Sequence, residues 1–353
     1  MAEQTKQLSE IPFSILDLAS VAAGKTAGEA FKNTLNLAKS AEKLGYKRYW
    51  LAEHHNLAGV ASSATAVLVG YVAANTTTIR VGSGGIMLPN HAPLIIAEQF
   101  GTLESLYPGR IDLGLGRAPG TDGATMRALR RDIARTGHDF PELLAELLGY
   151  FAPAKEGQTV RAQPGAGLEI PIWLLGSSDF SARLSAELGM PFAFASHFAP
   201  EELFNAIAIY RQYFKPSRSL TKPYLMIGVP VIAADTEREA QRLATTSYQR
   251  FLGLVRGQSV MLKPPVDSMD GLWSPYEKAA VASRLEIAAF GSAETVRKKL
   301  EKLMAMTNAD ELMIVTDTYS FEDRLRSYEI VSEFNAAFNS SIKTDQSNFV
   351  IAT

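Results

Sequence analysis

Residues 47–55, Lys47-Arg48-Tyr49-Trp50-Leu51-Ala52-Glu53-His54-His55, decide how the chain is read. An apolar run of strand length ends in a carboxylate and two imidazoles. In α/β folds the chemistry collects at the C-terminal edge of strands, and imidazole is the side chain whose charge changes near neutral pH. The stretch therefore reads as a strand delivering reactive groups to a sheet edge, and the protein as an enzyme. Adjacent strand residues point to opposite faces, so one imidazole at most lines a pocket unless the chain has already turned. A hydrogen-bonded histidine pair that holds the strand end is the structural alternative. Two adjacent histidines lack the i,i+4 spacing of a helical zinc pair and no further ligand cluster is evident, so no metal is expected.

Outward from this strand the pattern repeats. Upstream, residues 11–18 read as a strand and 28–44 as an amphipathic helix closed by Gly45. Downstream come a helix over 62–75, a strand over 79–88, a helix over 93–106 and a strand over 110–115. Later strands are 170–175, 191–196, 224–233 and 311–315, with helices near 181–188, 201–214, 237–254, 293–304 and 321–338. Roughly eight strands, most followed by a helix, make the α/β pattern of a closed (β/α)8 TIM barrel. A doubly wound sheet shares this periodicity, which does not separate the two. Two stretches interrupt the alternation: 116–167, with helices of its own, and 257–290, rich in Pro, Ser and charge. In a barrel both follow strands and hang as insertions over the C-terminal face, where long loops act as lids. Residues 1–353 read as a single domain with a flexible tail over 339–353, for which a dimer-wrapping arm is the other reading.

Composition removes whole classes. With 46% hydrophobic and 20% charged residues the chain can bury a large core, which excludes disorder and coiled coil as whole-chain readings. The 35 basic and 37 acidic residues leave a net charge of -2. Arg127, Arg130, Arg131 and Arg135 recur at helical spacing and read as a solvated helix face, so nucleic acid is not an expected partner. Cysteine is absent, which excludes disulfides, thiolate nucleophiles, thiolate zinc sites and iron–sulfur clusters. Residues 1–10 are polar, and the longest apolar runs, such as 64–74, stop well short of a membrane span. A soluble cytoplasmic protein is expected.

Three further segments carry chemistry. Gly82-Ser83-Gly84-Gly85 interrupts an apolar strand before Pro89-Asn90-His91-Ala92-Pro93 opens a helix. A glycine pair there marks a bulge, a strained peptide or a planar ligand packed on bare backbone, or else crowding inside a small barrel. In the segment 110–120, Gly114-Leu115-Gly116 suggests a dinucleotide fingerprint, but the third glycine arrives late, at Gly120, with Pro119 in its slot. That label is rejected. Arg117, just past a strand end, is a bidentate donor suited to a phosphate, or a member of a surface ion pair. In the segment 170–187, an apolar strand runs into Gly176-Ser177-Ser178 and then Asp179-Phe180-Ser181 at the start of a helix. Free amides and hydroxyls at a helix N-terminus hold a phosphate monoester well, although the same residues also make an ordinary N-cap.

Taken in order, Trp50-Leu51-Ala52-Glu53-His54-His55, the segment 79–89, Pro108-Gly109-Arg110-Ile111-Asp112-Leu113-Gly114-Leu115-Gly116-Arg117 and Leu175-Gly176-Ser177-Ser178 give the chain its resemblance to the bacterial luciferase-like, flavin-dependent monooxygenases. The resemblance covers nearly the whole chain and implies a (β/α)8 barrel. It implies that His54 is the active-site histidine beside the flavin, and that Gly84 and Gly85 fall where relatives have a cis peptide under the isoalloxazine ring. Arg117, Ser177, Ser178 and Ser181 fall where relatives hold the FMN phosphate. Glu53, Ser83 and Gly176 belong to the same expected cofactor site, and His197 to a strand end facing the substrate pocket. The implied reaction uses reduced FMN, supplied by a separate flavin reductase, and O2 to oxygenate a small organic substrate by way of a flavin peroxide.

Two departures count against light emission and long-chain aldehydes: the light-emitting subunit has Glu at the position of Ser177 and Cys at that of Gly116. A homodimer through the outer helices near the second and third strands is expected by the same resemblance. Hydride transfer with F420, a non-catalytic flavin-binding protein and a metal-dependent barrel hydrolase are the competing functions. The substrate lies in loops whose geometry the sequence does not give.

Overall fold

The computed structural model describes residues 5–118, 122–129, 139–258 and 261–336. In chain order the elements are β1 (Phe13–Asp17), α1 (Ala27–Leu44), β2 (Arg48–Leu51), α2 (Thr65–Ala73), β3 (Arg80–Met87), α3 (Pro93–Leu106) and β4 (Ile111–Gly116). There follow α4 (Gly123–Ala128), α5 (Phe140–Phe151), β5 (Ile172–Gly176), α6 (Asp179–Leu188), β6 (Phe192–Phe194), α7 (Leu203–Tyr213) and β7 (Leu225–Ala234). The chain then forms α8 (Glu237–Val255), α9 (Pro275–Arg284), β8 (Ala289–Ser292), α10 (Ala293–Thr307), β9 (Glu311–Val315) and α11 (Phe321–Ser332). Their ends are written locally. Thr26 caps α1 in a reciprocal box with Glu29, and Gly45 closes it at φ 85, a left-handed conformation that glycine adopts without a Cβ clash. Thr236, Ser292 and Ser320 cap α8, α10 and α11, each hydroxyl accepting from a backbone N–H of the first turn.

Every strand pairing is parallel. β1 to β7 run in sequence, β7 pairs with β9, and β9 returns to β1, so eight strands close a ring. This is a (β/α)8 barrel. β8 lies outside the ring and pairs with residues 231–234, the half of β7 that overshoots the barrel. The second insertion therefore does not leave from a strand. It departs from the end of α8, and its last residues, 289 and 290, already belong to β8. On the way it returns along α8, whose Thr246 and Gln249 donate to the carbonyls of Lys263 and Pro264, and Leu262 pairs with Ala22 in the loop after β1.

A shell that includes Leu37, Phe100, Phe192, Tyr210 and Tyr328 packs the helices onto the ring. Each such side chain, fully buried, contributes about 1.5–3 kcal/mol of transfer free energy. A smaller core of Ile232, Leu243, Leu252, Val281 and Phe290 joins α8 and α9 to the overshoot of β7 and β8. Inside the barrel, Leu16, Trp50, Trp173, Met226 and Met313 form the central layer, with the two indoles edge to face at 5.2 Å. Crowding here is real: a Cβ on Gly84 would come within 2.8 Å of Leu16 Cδ1 and 3.0 Å of Trp50 Cβ. The β3–β4 register shifts between Ser83 and Ile86, and the Gly84–Gly85 peptide is cis. Gly84 nevertheless keeps partial exposure between the buried Ser83 and Gly85.

Below the central layer, at the N-terminal end, lies a buried ionic layer. Arg48 bridges Asp112 at 2.7 Å and Glu311 at 3.1 Å. Trp50 Nε1 and Arg80 also donate to Asp112, while the hydroxyls of Ser14 and Tyr224 donate to Glu311. Among the described residues no helix is long and apolar enough to cross a membrane.

Candidate active site

β2 ends at Leu51, and the chain turns before its imidazoles. Glu53 is 1% exposed and serves as the hub of the turn. It accepts from His55 Nε2 at 2.8 Å, from His91 Nε2 at 2.9 Å, from the Met87 amide at 3.0 Å and from Asn90 Nδ2 at 3.3 Å. Burial alone would raise its pKa, but the two imidazoles and the Met87 amide outweigh burial and hold the carboxyl below its ordinary range. Four donors fill both oxygens, and Glu53 ties the loop after β2 to the loop after β3. His55 faces this hub, while His54 is an electrostatic neighbour of His197 across the mouth. One imidazole of the pair is thus held by Glu53, and the other lies near His197.

Ser83 is likewise engaged within the protein. Its buried hydroxyl donates to the Gly114 carbonyl at 2.8 Å and accepts from the Gly114 amide at 3.0 Å. It stitches β3 to β4.

The anion signals converge. Arg117 leaves the end of β4 and lays its guanidinium 4.3 Å from the ring centroid of Phe180, in the first turn of α6. Among the described residues no carboxylate pairs with it, which sets aside the surface ion pair. Ser178 is the N-cap of α6, yet its side chain makes no capping bond, so the amides of the first turn point outward unclaimed. Ser177 is half-buried, and Ser181 is folded back over the end of β5, where a Cβ on Gly176 would come 2.1 Å from its Oγ. A permanent cation, uncapped amides and three hydroxyls at one helix N-terminus are the donor set of a phosphate monoester, and the partly exposed Gly84 lies two strands away at the same mouth.

His197 follows β6 and is half-buried. Burial pushes its imidazole down to about 4, with Asp317 acting the other way and Arg250 and His54 in support. Asp317, two residues past β9, forms an ion pair with Arg250 from α8 and lies within 3.5 Å of Ser20 Oγ. Neither Asp317 nor Arg250 was singled out by sequence, although Asp317 satisfies the strand-end criterion that found Glu53 and Arg117. Of the arginines read as a helix face, Arg127 is exposed on α4, and Arg130, Arg131 and Arg135 lie outside the described residues, as does the tail over 339–353. Among the described residues no group of His, Asp or Glu is arranged to hold a metal ion.

A parallel barrel with a polar site at its C-terminal mouth defines an α/β-barrel enzyme class. The family model for luciferase-like monooxygenases matches residues 11–311, and the chain belongs to that family. It is 53% identical to a luciferase-like monooxygenase of Escherichia coli (strain K12), over 92% of this chain and 96% of that protein. It is 32% identical to the N-acetyl-S-alkylcysteine monooxygenase of Bacillus subtilis (strain 168), over 92% and 98%. Among solved structures, that of apo-MsnO8 superposes with a TM-score of 0.82 at 32% identity, covering 94% of this chain and 99% of that one.

Proposed function

We propose that this protein is an FMN-dependent monooxygenase that uses reduced FMN, supplied by a separate flavin reductase in the cytoplasm, and O2 to oxygenate a small organic substrate. The observation that carries the reading is the placement of Arg117 over the uncapped amino end of α6. Arg117, Ser177, Ser178 and Ser181 hold the phosphate, and Gly84–Gly85 offers bare backbone to the ring. When bound, the cofactor supplies the electrons that activate O2. The chain supplies position and proton control. His54 exchanges protons at the imidazole edge facing the mouth, and the Glu53 hub fixes the loop that carries it. The second insertion, anchored on α8 and on the loop after β1, limits water entry.

F420, with its longer acidic tail, would call for more cations. The next one on α6, Arg183, is stacked 4.5 Å from the Tyr213 ring centroid, which favours FMN. A homodimer belongs to the same proposal, because α2 and α3 present Val67, Tyr71, Ile95 and Leu106 to solvent on one side of the barrel.

Oxygen uptake with photoreduced FMN across thioethers, aldehydes, ketones and amines tests the reaction; thioethers join the panel because of the cysteine-conjugate monooxygenase among the relatives. Substrate-dependent uptake with an oxygenated product is expected. Tight flavin binding with no such uptake for any substrate would identify a non-catalytic flavin-binding protein instead. His54→Ala should leave FMN affinity nearly unchanged and lower turnover about 10²–10⁴-fold, the usual reach of a proton-transfer group. Unchanged turnover would remove His54 from the chemistry.

A further inference from the structure

The turn after β6 is fixed by its own backbone. The Ala195 amide donates to the Gly176 carbonyl at 2.8 Å, and Ser196 Oγ donates to the Gly228 carbonyl at 2.7 Å. Between them these bonds lay the His197 ring against β7. A Cβ at position 228 would come 2.3 Å from His197 Nδ1 and 3.0 Å from Cε1. Alternation along β7 puts Gly228 on the same inward face as Met226, a member of the central layer of the barrel. The imidazole therefore occupies the slot that a side chain at 228 would fill, at the inner wall of the mouth.

The edge that makes this contact determines where the ring proton sits. Nδ1 is buried and has no hydrogen-bond partner. A buried orphan N–H is rarer and costlier than a buried lone pair facing a methylene, so the proton belongs on Nε2. Nε2 and Cδ2 form the edge away from the strand, and the residue's remaining exposure lies there. The titratable and charged groups around the ring come from three other elements: His54 after β2, Arg250 on α8 and Asp317 after β9. The Asp317 carboxylate is already engaged by Arg250. Burial, with Arg250 and His54 in support, favours the uncharged ring, which has one donor to offer.

We propose that His197 is an Nε2–H imidazole that donates one hydrogen bond to a carbonyl-type oxygen of the substrate, selecting substrates that carry such an acceptor. This rests on the reading of the mouth as the active site, but its first test needs neither flavin nor substrate. Long-range 1H–15N spectra of the whole, FMN-free protein, with His197 assigned through its loss in His197→Gln, should show a pyridine-type Nδ1 and a pyrrole-type Nε2. That pattern should persist from about pH 8 down to about pH 5.5, where an ordinary imidazole has titrated. An Nδ1–H tautomer, or an imidazolium at about pH 6, overturns the proposal whether or not the oxygenase reading survives. Gly228→Ala, which crowds the ring, should disturb these signals specifically; unaltered signals would mean that the ring does not rest on Gly228.

With the substrate that the oxygen-uptake panel identifies, His197→Phe keeps the bulk and deletes the donor. It should raise KM about tenfold with kcat within about twofold, the signature of lost ground-state and transition-state binding alike. His197→Gln, which can place an amide N–H near the Nε2 position, should recover most of the loss. Equal behaviour of the Phe and Gln variants would show that packing, not donation, is what His197 provides.

Discussion

At the N-terminal end of the barrel Arg48 is clamped between Asp112 and Glu311, and each of those carboxylates has further donors. At the C-terminal mouth Arg117 rests on an aromatic ring, the first turn of α6 is uncapped, and His197 keeps partial exposure. One ring of strands thus carries two polar ends of opposite design. Charges buried where no ligand reaches must find partners within the protein, because an unpaired one costs several kcal/mol. At the mouth the donors left without protein partners are those a ligand would have to supply with acceptors. The difference between satisfied and unsatisfied polar groups therefore divides this barrel into a stabilising end and a functional end.

The largest expected effect breaks the stabilising end. Asp112→Ala strands Arg48 and Arg80 beside an empty position, and should cost about 3–5 kcal/mol in chemical denaturation. A loss below about 1 kcal/mol would mean that the buried layer is not the stabilising element described above. Next comes Glu53→Ala, which leaves two imidazoles, an amide and an Asn without their acceptor. The expected loss is about 1–3 kcal/mol, accompanied by lower turnover because the His54 loop is released. Intact turnover would separate the hub from the site.

Acid sensitivity sharpens the same contrast. His197 is depressed to about 4 when folded, whereas an unfolded histidine takes up its proton near pH 6.5. Between those values the unfolded state binds the extra proton, so stability falls as pH drops through that window. Glu53, Asp17 and Asp112, all held below their ordinary range, add a further loss at lower pH, as acid protonates the folded carboxylates. Denaturation midpoints should therefore decline below about pH 6.5, and His197→Phe should flatten the upper part of that decline. A profile identical in the variant would contradict the neutral buried imidazole.

Sequence and structure agree wherever the information is local. The alternation of strands and helices is legible because caps such as Thr26 with Glu29, and stops such as Gly45, sit beside the elements they bound. β8 escaped because four residues, Ala289–Ser292, carry too little periodicity to stand out from the insertion before them. That Arg117 and the segment from Gly176 to Ser181 stand at neighbouring strand ends was legible from residue type and position. Whether Ser178 caps its helix was not, since the same hydroxyl serves either role until its rotamer is known. The hydrogen-bond partners of Glu53 and Ser83 were not legible for one reason: His91 and Gly114 lie 38 and 31 residues away, and only the parallel pairing of neighbouring strands brings them together.

The smallest effect on folding coincides with the sharpest test of function. Arg117→Ala should change stability by no more than about 0.5 kcal/mol, because the side chain stands at the surface of the mouth. Binding of FMN and of riboflavin, which lacks the phosphate, should be measured side by side for the wild type and this variant. The wild type should favour FMN by at least about tenfold, the worth of a charge-assisted phosphate contact, and Arg117→Ala should remove most of that preference. Equal affinities for the two flavins in the wild type, or a preference that survives the substitution, would contradict the role of Arg117 as a phosphate contact.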